Sequence, residues 1–164
     1  MTTDSRPSRR PTLRTRIEHA IDARSVRFGA WLMRRTRGRA AHLWRRQALV
    51  LTTRGRRSGQ LRTVVVQFFP DGEDLIVVAA NSGMPRPPAW YLNLRDQPTA
   101  RVEVDGRTVA VRAEELSEEE AAAAWPRVLA TAPDYARFRS RTDRRIALLR
   151  LVPLPDVPPG TVPE

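Results

Sequence analysis

The stretch Gly55-Arg56-Arg57-Ser58-Gly59-Gln60-Leu61-Arg62 gathers three guanidiniums, a hydroxyl and two turn glycines between two apolar runs. A guanidinium offers coplanar N–H donors that match phosphate or carboxylate oxygens, and a glycine-rich turn can aim backbone N–H groups at the same anion. The stretch is therefore a candidate anion cradle, set against the plainer reading of an Arg-rich hairpin turn in an Arg-rich chain. Downstream, Asn81-Ser82-Gly83-Met84-Pro85-Arg86-Pro87-Pro88 leads into Ala89-Trp90-Tyr91-Leu92-Asn93-Leu94. Small polar groups, a flexible glycine and a helix N-terminus suit the carbonyls of a planar ring, or a phosphate. Trp90 and Tyr91 read first as core aromatics and second as a platform for that ring.

Other chemistries are excluded or left without support. The chain has no Cys, which rules out disulfides, iron–sulfur clusters, thiolate zinc sites and cysteine nucleophiles. His19 and His42 lie in the basic N-terminal region with no motif linking them to a pocket, so both read as surface or packing residues and no metal site is expected. The net charge of +11 invites a nucleic-acid reading. Its location argues against one: residues 1–46 carry 13 Arg against Asp4, Glu18 and Asp22, whereas residues 47–164 carry 16 Arg against 15 acids. All 29 basic residues are Arg, a pattern of coding bias rather than of a selected phosphate-binding surface.

The elements that must position the candidate residues follow from periodicity. Residues 1–15 are read as a disordered basic tail and residues 16–46 as a basic amphipathic helical segment. Within the latter, Ile17, Ala20, Ile21, Phe28, Trp31 and Leu32 recur at helical spacing. Two roles stand for residues 16–37: packing over the body or a partner subunit, and lying on an anionic membrane surface. Strand character marks Ala48–Thr53, Leu61–Phe69, Leu75–Ala80, Thr99–Val104, Thr108–Glu114 and Ile146–Val152, with turn signals such as Asp105-Gly106 between neighbours. Short helices are expected at Trp90–Leu94 and Tyr135–Ser140, and Ser117 with Glu120 forms a capping box opening a helix that runs to about Ala130. Consecutive hairpins with grouped helices predict sequential antiparallel pairing in a small barrel, mainly β with flanking α-helices, over residues 47–154. Residues 155–164 form a Pro-rich tail. No G-x-G-x-x-G or Walker motif follows a strand. The start, Ser8-Arg9-Arg10-Pro11-Thr12-Leu13, has the outline of a twin-arginine export signal, but charged residues follow it where an apolar stretch is required. No apolar run approaches the roughly 20 residues of a membrane span, so a cytoplasmic protein is expected, with residues 16–37 as its one route to the inner face of the membrane.

The two candidate segments, taken together, closely resemble the deazaflavin-dependent nitroreductase family. The resemblance spans about Leu49 to Leu151 and extends to Trp125-Pro126, Tyr135 and Arg141-Thr142-Asp143-Arg144. It implies a split β-barrel of the FMN-binding-like class and coenzyme F420 as the bound deazaflavin. Carried over residue by residue, the coenzyme's phosphate and glutamate tail fall to Arg56, Arg57, Ser58, Gly59 and Arg62, and the ring borders Asn81, Ser82, Gly83, Pro88, Ala89 and Trp90. Tyr135 matches a substrate-pocket tyrosine and is the candidate hydrogen-bond donor to a developing oxyanion. The reaction implied is hydride transfer from reduced F420 to a small-molecule electron acceptor, quinone-like, nitroaromatic or otherwise electron-poor. Ala80, Ala132 and Phe138 stand where nitro-reducing members carry hydroxyls, so coenzyme binding is better supported than nitroreduction. The rival readings are a split barrel using FMN or haem, and a non-catalytic protein that sequesters F420 or a lipid-like ligand. A homodimer is compatible with barrels of this shape.

Overall fold

The structure is a computed structural model of the chain and describes residues 47–154. The tail over 1–15, the helical segment over 16–46 with its lipid-facing expectation, and the Pro-rich residues 155–164 lie outside the described residues.

The runs rich in Val, Leu, Ile and Thr form six strands: β1 Ala48–Arg54, β2 Leu61–Asp71, β3 Asp74–Val78, β4 Thr99–Val104, β5 Arg107–Glu115 and β6 Leu148–Pro153. All pairings are antiparallel, and the strands close into a barrel in the order β1-β2-β3-β6-β5-β4. Three helices accompany them: α1 Ala89–Asp96, α2 Glu118–Thr131 and α3 Asp134–Ser140. The mainly β, helix-flanked barrel expected from the sequence is thus the observed architecture.

Strand alternation sends successive side chains to opposite faces and builds two cores. Leu49, Leu51, Phe68, Val77, Val102, Val111, Leu149 and Leu151 fill the barrel, where Trp90, Tyr91 and Leu94 of α1 join them. Phe69, Ile76, Val78 and Leu148 point the other way, under Ala121, Ala124 and Val128 of α2 and Tyr135 of α3. Phe68 and Phe69 are adjacent in sequence yet belong to different cores. Burying each such side chain contributes roughly 1.5 to 3 kcal/mol, so both faces of β3 hold the fold.

Helix α2 opens as its sequence dictates. The Glu120 amide donates to the Ser117 hydroxyl at 3.1 Å, and the Glu120 carboxylate accepts the Ser117 amide at 2.8 Å.

Two expectations are corrected. Pairing is not sequential throughout: β3 pairs with β6 rather than β4, and β4 pairs back with β1, because α1 carries the chain across the barrel end. Strand β3 also ends at Val78 and not Ala80, since the Ala80 amide donates back to the Val78 carbonyl at 2.9 Å and turns the chain out of the sheet.

Candidate functional site

Because β1 and β3 both pair antiparallel with β2, they run in the same direction and end at the same rim of the barrel. The Arg-rich turn leaves that rim after β1, and the segment leading to α1 leaves it after β3. The two segments singled out in the sequence are therefore brought together by topology.

The turn is held by its own backbone. The Gly55 amide donates to the Gln60 carbonyl at 2.8 Å, and the Ser58 and Gly59 amides converge on the Gly55 carbonyl at 3.2 and 2.7 Å. The Gln60 amide donates to the Ser58 hydroxyl at 3.3 Å, and the Arg56 amide to the Asn93 Oδ1 at 3.2 Å. Gly59 has φ +65°, the left-handed region that favours glycine. These five amides are spent inside the fold, which corrects the expectation that the turn aims its backbone N–H groups at an anion. What it presents instead are side chains: Arg56, Arg57, Ser58 and Arg62 are exposed. Arg62 is pre-aligned by a 3.1 Å bond to the Gln60 side-chain oxygen.

Asn93 ties this turn to α1. It is 4% exposed, and its amide nitrogen donates to the Thr53 hydroxyl at 3.1 Å while its oxygen takes the Arg56 amide. Sequence reasoning quoted Asn93 without giving it a role. The signal was there: on α1 it shares a stripe with the buried Trp90 and Leu94, and a polar group on such a stripe must find partners.

The segment between β3 and α1 begins with a single 3-10 turn, Asn81–Gly83. Asn81 and Ser82, neither of them glycine, have φ of 47° and 52°, and Gly83 follows at 75°. The Asn81 side-chain amide donates to the Arg86 carbonyl at 2.8 Å, and the Met84 amide to the Asn81 carbonyl at 2.9 Å. Pro88, buried, caps α1, and Ala89 is exposed at its first turn. Trp90 is 9% exposed and belongs to the barrel core, the first of the two readings given to it. Tyr91 is also buried; its hydroxyl donates to Glu115 at 2.9 Å, and burial together with Glu115 pushes the phenol above its ordinary value.

Tyr135 sits on α3, 8% exposed, with Phe69 and Phe138 packed edge-on at ring centroid distances of 5.9 and 5.5 Å. Helix α3 in turn abuts Gly83: a Cβ built there would lie 2.6 Å from the Phe138 carbonyl oxygen and 2.8 Å from the Arg141 Cβ. The Tyr135 helix is thus seated against the same segment that precedes α1.

The family model for F420H(2)-dependent quinone reductases matches residues 25–153. The chain belongs to that family. An F420H(2)-dependent quinone reductase of Mycobacterium tuberculosis (strain H37Rv) is 29% identical over 140 residues, covering 82% of this chain and 94% of the relative. A solved F420-H2 dependent reductase is 30% identical with a TM-score of 0.59, covering 65% of this chain and 94% of that one. A further solved chain, described as a domain-swapped dimer, has the same identity and TM-score and covers 65% of this chain and 80% of its own.

The residues of this family member fit the coenzyme that gives the family its name. Exposed guanidiniums at Arg56, Arg57 and Arg62 are the donor set that phosphate and carboxylate groups require. They stand on a turn whose shape is fixed by Asn93 before any ligand arrives.

Proposed function

We propose that this protein reduces a quinone with hydride from reduced F420. The carrying observation is the Asn93 bridge, which locks the Arg-rich turn to the helix that the Asn81–Pro88 segment introduces. Arg56, Arg57 and Arg62 would hold the anionic tail, with the Ser58 hydroxyl beside them and Gly59 shaping the turn. Asn81, Ser82, Gly83, Pro88 and Ala89 would border the ring, and Trp90 would support that border from within the barrel. Bound reduced deazaflavin would supply a hydride to the quinone, and a proton from solvent would complete the hydroquinone. The protein's own contribution is orientation and exclusion of water, which together can remove several kcal/mol from a transfer barrier. Tyr135 is the candidate hydrogen-bond donor to the oxyanion that forms on the acceptor. The split-barrel, FMN-binding-like class and a homodimeric assembly belong to the same reading.

The test is a side-by-side fluorescence titration of the purified protein with F420, FMN and haem, followed by loss of reduced-F420 absorbance on adding a soluble quinone. Saturable F420 binding with quinone-dependent oxidation is expected. Preference for FMN or haem overturns the coenzyme assignment, and F420 binding without oxidation by any quinone overturns the enzymatic one.

A further inference from the structure

Arg144 lies between α3 and β6, outside both segments described above. Its Nε donates to the Met84 carbonyl at 3.0 Å, and one terminal nitrogen donates to the Ala79 and Ala80 carbonyls at 3.1 and 2.6 Å. These three acceptors flank the Asn81–Gly83 turn on both sides, so one planar fork fixes where the turn begins and where it ends. The turn itself is strained, with two consecutive non-glycine residues in the left-handed region. Such a conformation persists only where the surroundings over-determine it. The Arg144 fork provides that constraint, and the close seating of α3 on Gly83 adds to it.

We propose that Arg144 is a positioning residue for the coenzyme, pre-forming the Asn81–Pro88 segment in its binding-competent shape without touching the coenzyme itself. The proposal rests on the coenzyme site given under Proposed function. An unconstrained segment would relax toward ordinary backbone angles, and coenzyme binding would then have to re-impose the strain. Affinity for the coenzyme therefore carries the effect, while the chemical step, once the coenzyme is seated, does not. Burial lowers the Arg144 guanidinium from its ordinary value, yet an arginine in this setting stays protonated and all its donors remain available.

The experiment compares wild type, Arg144→Gln and Arg144→Lys. F420 affinity is read by fluorescence titration, amide exchange over residues 79–88 by mass spectrometry, and turnover of reduced F420 at saturating coenzyme with a soluble quinone. Arg144→Gln is expected to weaken F420 binding by about tenfold or more, to raise exchange over 79–88 but not over β4 and β5, and to leave kcat within about twofold. Arg144→Lys keeps the charge but not the fork, and is expected to recover less than half of the lost affinity. Should Arg144→Gln not fold, Arg144→Lys alone carries the same three readouts. Unchanged affinity with a folded variant, exchange raised uniformly across the barrel, or full recovery by Lys each overturns the proposal. Failure of the wild type to bind F420 would instead remove the coenzyme reading, and the exchange measurement would still decide whether Arg144 orders the segment.

Discussion

Asn93 and Arg56 are joined by a side-chain to backbone hydrogen bond of 3.2 Å that spans 37 residues of sequence. The same side chain donates to Thr53 at 3.1 Å, so one buried amide holds both the last inward residue of β1 and the first arginine of the turn. Asn93→Ala takes a partner from the Arg56 amide and from the Thr53 hydroxyl. It is expected to cost about 1 to 3 kcal/mol of stability, since the buried Thr53 hydroxyl loses its partner while the amide of exposed Arg56 can turn to water. Denaturant unfolding reads the loss directly. A loss below about 0.5 kcal/mol would show that the bridge does not hold the turn.

The amides of Gly55, Arg56, Ser58, Gly59 and Gln60 are taken up within the fold, so the turn's hold on an anion rests chiefly on guanidiniums. Replacing Arg56, Arg57 and Arg62 together with Ala should weaken F420 binding by at least about 2 kcal/mol, roughly 30-fold, because charge-assisted contacts are lost with imperfect additivity. The fold should be untouched, as all three side chains are exposed. Titration at two salt concentrations gives a second reading: the salt dependence of F420 affinity should shrink in the triple variant.

The strands, the capping box and, as turns and loops, the two candidate segments were legible because each is written locally. The Leu49, Leu51 and Phe68, Phe69 patterns declare faces, and Ser117 with Glu120 declares a helix start. The strand order within the barrel was not legible, because β3 with β6 and β1 with β4 pair across long stretches of chain that no local pattern encodes. The internal bonding of the amides of residues 55, 56 and 58–60 depends on one turn's backbone angles, which glycine positions suggest without fixing. Arg144 stood within the stretch over residues 141–144 to which the family resemblance extends, but its role was not legible, because its partners are three backbone carbonyls and any residue has one.

Gly83 lies where any side chain meets backbone. Its φ of +75° already disfavours other residues, and a Cβ would sit 2.6 Å from the Phe138 carbonyl oxygen. Gly83→Ala must therefore push α3 away, at about 2 kcal/mol or more from strain and lost packing together. The expected result is a lower Tm together with weaker F420 binding. An unchanged Tm would mean that α3 gives way freely and does not brace the segment.

Tyr135 can be tested for its hydroxyl alone. Tyr135→Phe keeps the edge-on packing against Phe69 and Phe138 and removes the hydroxyl alone. If the hydroxyl stabilises the oxyanion on the acceptor, kcat falls on the order of 10- to 100-fold while F420 affinity holds. Equal kcat for the two proteins would leave Tyr135 with its packing role only.

At the end of β2 away from the two candidate segments, Asp71 takes hydrogen bonds from Arg127 at 2.8 Å and Arg150 at 3.3 Å, and Arg150 also reaches Glu120 at 3.1 Å. The Arg127 hydrogen bond is the chief reason that the Asp71 carboxyl lies below its ordinary value of 3.8, with Arg150 adding to it. Glu120 is held below 4.5, first by the Ser117 amide and then by Arg150. A carboxylate whose pKa is lower folded than unfolded stabilises the protein above its unfolded value, and that contribution fades as pH falls toward the folded one. Stability should thus be level above about pH 5 and decline from there through pH 4 and below. Asp71→Asn removes part of that slope, so its Tm should lie below wild type at neutral pH and approach it in acid. Parallel Tm curves over the whole range would mean that the network does not link folding to protons.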